Sequence, residues 1–212
     1  GTLTHNASGG RKITARKEFA CTTTGTVTGT GELELASDST SGVTVTDASG
    51  TISISEIALS VAGTTNPVSL APGFYNSSIS VETTNGAFPM TILLQAGSFQ
   101  FDDITISPVN AVDAEFNLST NNPNIQIDGD LIANGKLSWV KGTGTITIGG
   151  SNSQSLDFNG ESIEDLDIDK TSNAAVLASS GFTTDSLTIS NGEFDIGNQS
   201  IDITGNMTMA AG

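Results

Sequence analysis

The stretch GTGTITIGGSNSQSLDFNGESIEDLDIDKTSNAAVLASSGFTTDSLTISNGEFDIGNQSIDITGNMTM, residues 142–209, carries its own spacing rule. Four apolar–polar–apolar triplets recur in it: Ile146-Thr147-Ile148, Leu166-Asp167-Ile168, Leu187-Thr188-Ile189 and Met207-Thr208-Met209. Their steps are 20, 21 and 20 residues. Alternation of period two puts both apolar side chains of a triplet on one face of a short strand. A nearly constant step places each triplet over its counterpart one turn earlier. Short strands joined by Gly, Asn, Asp and Ser therefore predict the coils of a parallel β-helix, each burying its inner face against its neighbours.

The same lane extends upstream through Ile125-Gln126-Ile127 and Ile104-Thr105-Ile106, both at steps of 21. A second lane is read through the pairs Phe99/Phe101, Phe116/Leu118, Leu137/Trp139, Leu156/Phe158, Val176/Ala178 and Phe194/Ile196, at steps of 17, 21, 19, 20 and 18. Ile163, Phe182 and Ile201/Ile203 suggest part of a third. Asp128-Gly129, Asn134-Gly135, Asn159-Gly160, Ser180-Gly181, Asn191-Gly192 and Gly197-Asn198 suit the corners, where backbone turns favour φ > 0. The expected fold is all-β: a right-handed parallel β-helix (a β-solenoid) with coils of about 20 residues and an irregular N-terminal half. The hand comes from the usual chirality of parallel crossovers and not from the residues.

One continuous domain is expected. Residues 99–212 form its regular coils, and residues 31–98 its irregular ones. In that irregular part Pro67, Pro72, Pro89 and APGFYNS (71–77) read as loop excursions. Residues 1–30, with the basic run RKITARKEF (11–19), read as a cap or junction. The chain opens at Gly1 without an initiator Met and stops at Gly212 within the repeat. It is therefore expected to be a segment of a longer, processed or recombinant protein.

Composition agrees with this architecture. Of 212 residues, 24 are Gly, 29 Thr and 26 Ser, with few strong helix formers, so corners and strands are favoured over helices. The net charge is −16, and four of the seven basic residues (Arg11, Lys12, Arg16, Lys17) precede residue 18. A surface this acidic repels nucleic-acid phosphates and anionic membranes. No apolar run is long enough for a membrane helix. Cys21 is the single cysteine, which excludes an intrachain disulfide and points to a small buried hydrophobe.

Residues 142–209 also resemble the repeats of large bacterial extracellular β-solenoids and adhesins. The phrases FNG…IEDLDIDK and SLTISNGEFDIGNQSIDITGN carry the likeness. Similar strings occur in phage fibre proteins. The resemblance implies a structural or adhesive role, secreted to a cell surface or displayed on a virion. It carries no catalytic residue across.

Chemistry is sparse. His5 is the only histidine and lies in the atypical N-terminal segment, which argues against a Ser-His-Asp or Cys-His arrangement. No Arg follows Arg16, so the base and clamp of a pectate-type lyase are missing. A glycoside hydrolase needs paired carboxylates, and Asp102/Asp103, Asp128/Asp130 and Asp165/Asp167/Asp169 are the available sets. Aromatic platforms for sugars are scarce, and Trp139, the only Trp, falls in an inward lane. Hard oxygen ligands suit Ca²⁺, making Asp165, Asp167, Asp169 and Asp185 the calcium candidates. The three acids of DLDID stand about 7 Å apart at each step, too far for one ion unless another coil contributes. An ice-binding face of repeated Thr pairs is contradicted by that same acidic row.

The expectation is a non-enzymatic rigid fibre or spacer segment with no resident cofactor. It holds loops, within residues 60–98, away from a membrane or capsid. A cell-surface or glycan partner, self-association into an oligomer, and neighbouring domains of a longer chain are all compatible with it. The alternatives are a phage tail-fibre segment recognising host glycans and a polysaccharide-degrading β-helix using Asp pairs.

Overall fold

The computed structural model describes residues 1–6, 11–38, 41–61, 66–83, 90–106, 114–172 and 174–210. Among them there are strands, turns and bends but no helix, and every strand pairing is parallel. The strands stack as a β-solenoid whose coils average about 23 residues. The expected class is present, with a somewhat longer coil.

Three faces run along the axis. On the first, Leu3, Val27, Ile52, Tyr75, Phe101, Ile127, Ile148, Ile168, Ile189 and Met209 form ten consecutive rungs. The steps are 24, 25, 23, 26, 26, 21, 20, 21 and 20 residues, so the tight repeat begins only at Ile127. Nine steps at a strand spacing of about 4.8 Å give a rod about 43 Å long. The second face stacks Ile13, Leu33, Ile57, Ile79, Ile104, Leu131, Leu156 and Ala178. The third stacks Val68, Ile92, Phe116 and Trp139, then resumes as a separate three-stranded sheet through Ile163, Thr184 and Ile203.

This register corrects two readings of the sequence. Ile104 sits beside Leu131 and not beneath Ile125, whose partner is Phe99. The second lane is a composite: Phe99 belongs to the first face, Leu156 to the second, and Phe116 and Trp139 to the third. The reason is the chain path. Only Asp102 and Asp103 separate Phe101 from Ile104, so the two triplets are consecutive faces of one coil. Alternating triplets are interchangeable by periodicity, and spacing alone cannot tell a face from a coil.

The stretch 71–77 is a rung and not an excursion. Gly73–Tyr75 pairs in register with Phe99–Phe101, and Tyr75 is buried. Its hydroxyl donates to the Ala71 carbonyl at 2.6 Å, which satisfies the one polar atom the core acquires with the ring. Residues 62–65 and 84–89, which hold part of the expected loop region including Pro89, lie outside the described residues. In the second and third coils strands continue through the corners: Thr26–Ala36 is one strand, and Val43–Val61 pairs successively with Val68–Leu70, Gly73–Tyr75 and Ser78–Thr83. Residues 1–30 contribute rungs as well, with Thr2–Thr4 on Thr26–Thr28 and Lys12–Ala15 on Glu32–Leu35.

Downstream corners are sharper. Asn134-Gly135 has φ of 51° and 67°, and Asn159-Gly160 has 54° and 81°, the left-handed pairs that Asn-Gly tolerates. Each Asn also donates its side-chain amide to an earlier coil, Asn134 to the Ile106 carbonyl and Asn159 to the Leu137 carbonyl. Inside, Ile, Leu, Val and Phe fill the rod; burying each such side chain is worth about 1.5–3 kcal/mol. Tyr75 and Phe101 stack at 5.5 Å, and Phe116 and Trp139 at 5.9 Å.

Candidate functional site

The acidic sets lie at corners and on the outer surface, and most of these aspartates accept a hydrogen bond from the protein itself. Asp103 Oδ1 accepts the Asp130 backbone N–H at 2.7 Å, and Asp130 Oδ1 accepts the Ser155 N–H at 2.8 Å. One corner thus staples the next along the axis. Asp128 accepts the Gln100 amide at 2.6 Å and the Gln126 amide at 2.8 Å. Burial, with Asp103 and then Asp128 as like charges, pushes the Asp102 carboxyl above its ordinary pKa.

The calcium candidates are placed as follows. Asp165, Asp167 and Asp169 point outward from one strand, as alternation requires. Asp165 accepts the Ser186 hydroxyl at 2.7 Å, and Asp167 the Ser190 hydroxyl at 2.8 Å. Asp185 is turned to Lys141, with Nζ to Oδ1 at 2.5 Å. Among the described residues no group of three or more His, Cys, Asp or Glu side chains is gathered to hold a metal ion.

His5 Nε2 lies 3.1 Å from the Arg11 carbonyl. The Cys21 thiol is buried; desolvation and then the Asp47 charge push its pKa up, away from thiolate chemistry. Among the described residues no helix is long and apolar enough to cross a membrane.

Three features were not anticipated from the sequence. Lys170 is only 1% exposed; its ammonium donates to the Gly149 carbonyl and to Gln154 Oε1. Gln154 in turn donates to the Ile127 and Gly129 carbonyls, so the pair closes a corner spanning three coils. Glu164, 2% exposed, accepts from Trp139 Nε1 at 2.7 Å and the Gly142 N–H at 2.5 Å. Parity could have found Lys170, since it follows Leu166 and Ile168 at the next inward position.

The third feature is on the outer side of the first face. Phe74, Gln100, Gln126 and Thr147 stand in register on four successive coils, and Phe74 is 46% exposed. With Ser98 and Asn124 they line an open groove of about 270 Å³. Phe74 escapes the periodicity because APGFYNS (71–77) reads as a loop in sequence alone.

No protein-family model, curated protein or solved structure matches this chain.

Proposed function

We propose that this chain is a rigid structural or adhesive segment of an extracellular surface protein. The observation that supports the reading best is the unbroken ladder from Leu3 to Met209, ten rungs of in-register parallel strands around a continuous apolar core. Such a rod transmits position: it holds whatever is attached to either end, or displayed on its faces, at a set distance and orientation. The acidic sets suit this role, because Asp103, Asp128 and Asp130 link coils or pin side chains rather than facing one another across a cleft. Solution scattering should give an elongated particle. A depolymerase screen over plant, algal and bacterial polysaccharides should show no turnover. Reproducible cleavage that disappears in Asp165→Asn or Asp167→Asn would replace this reading with the hydrolytic one.

A further inference from the structure

We infer that the groove centred on Phe74, Gln100 and Gln126 binds a neutral saccharide chain, an inference that rests on the adhesive reading above and gives it a ligand class. Phe74 offers the apolar ring. It stands at an outward strand position, nearly half exposed, while its neighbour Tyr75 fills the core. The C–H face of a pyranose matches such a ring, and hydroxyls around the sugar need donors and acceptors beside it.

Those groups are present, and they are held in place. Gln100 and Gln126 both donate their Nε2 to the one Asp128 carboxylate, which fixes the orientation of two amides on adjacent coils. With each nitrogen so turned, their carbonyl oxygens have no protein donor among the described residues. Asn124 is oriented too: its Oδ1 accepts the Thr145 N–H at 3.1 Å, leaving the Nδ2 as a donor at the groove. Thr147 and Ser98 add hydroxyls. Rungs about 4.8 Å apart set these groups at intervals close to one sugar unit, so the four coils from Phe74 to Thr147 span two to three units.

The same observations select against other occupants. The strands beneath the groove are paired on both edges, so no free backbone edge is offered to an extended peptide. Asp128 beside the amides, and a chain charge of −16, disfavour uronate-, sulfate- or sialate-bearing chains. What is left favourable is uncharged, hydroxyl-rich and flat on one side.

The test is binding of neutral hexasaccharides (β-1,4-glucose, β-1,4-mannose, α-1,4-glucose and β-1,4-N-acetylglucosamine) by saturation-transfer NMR and calorimetry. A hexagalacturonate serves as the anionic comparison. At least one neutral chain is expected to bind, with saturation strongest on ring protons of one sugar face. Phe74→Ala should weaken it about tenfold and Phe74→Tyr should preserve it. Gln126→Ala should also weaken it. Because Phe74 is exposed, the Ala variant should melt with the parent protein, which separates loss of binding from loss of fold. Absence of binding by every neutral chain, binding unchanged in Phe74→Ala, or equal binding of hexagalacturonate would overturn the inference. If binding fails while scattering still reports a rod and no polysaccharide is cleaved, the saccharide site falls and the structural reading stands.

Discussion

Trp139 donates its indole N–H to the Glu164 carboxylate, 2.7 Å away, at the level where the third face ceases to be one ladder. Strand Leu137–Val140 does not continue by hydrogen bonding into Ser162–Ile163. Glu164 bridges that seam with its side chain, taking the Gly142 N–H on its other oxygen, while Thr184 donates its hydroxyl to the Glu164 carbonyl. Glu164→Leu leaves two buried donors without acceptors and should cost about 3 kcal/mol in urea unfolding. Glu164→Gln keeps one acceptor and should cost less. Trp139 fluorescence reports directly at the seam.

Lys170 should make stability depend on alkaline pH. Burial lowers its pKa from 10.5, with Asp128 and Asp130 opposing the shift only in part. Between the lowered folded value and 10.5 the unfolded chain binds more protons, so this group's contribution to stability rises with pH across that window. Cys21 and Tyr75 act in the opposite sense, since burial raises both and their contribution falls as pH climbs past 9.0 and 10.0. The difference between parent and Lys170→Met melting temperatures isolates the lysine. The parent should gain on the variant as pH rises toward 10.5, and a constant difference would refute the assignment.

Calcium should leave the fold unchanged. Asp165, Asp167 and Asp185 already accept hydrogen bonds from Ser186, Ser190 and Lys141. A melting temperature that matches with millimolar Ca²⁺ and with a chelator is expected. A rise of several degrees that is lost in Asp167→Asn would restore the metal site.

Coils should be removable only whole. Deleting residues 169–189 joins Ile168 to Ser190, one full step along the first face, so the remaining rungs keep their register. Circular dichroism should retain the β signature and unfolding should stay cooperative, at reduced stability. Deleting residues 169–178 alone should instead disorder the coils that follow, because the rungs beyond fall out of step.

The fold was legible where coils are tight. From Ile125 onward every triplet on the first face is paired as the spacing predicted. Upstream, coils of 23 to 26 residues and a two-residue corner at Asp102-Asp103 made a neighbouring face look like the next coil. The buried charges escaped for a different reason. Charged residues are read as solvated, and only the hydrogen-bond geometry reveals that Glu164 and Lys170 supply partners for buried backbone groups. Phe74 shows the reverse: two adjacent aromatics give no parity of their own, and the pairing with Gln100 decides which of them faces out.

The parallel register has a mechanical consequence. Every bond between coils lies along the rod axis, so tension between the two ends loads one layer after another and does not shear them together. Stretching should open the molecule as a zipper, one outermost turn at a time. Each turn of about 20 residues from the tighter part would release a contour of about 70 Å. In the spacer role proposed above, a rod that yields in small, repeated increments would limit the peak force on what it holds.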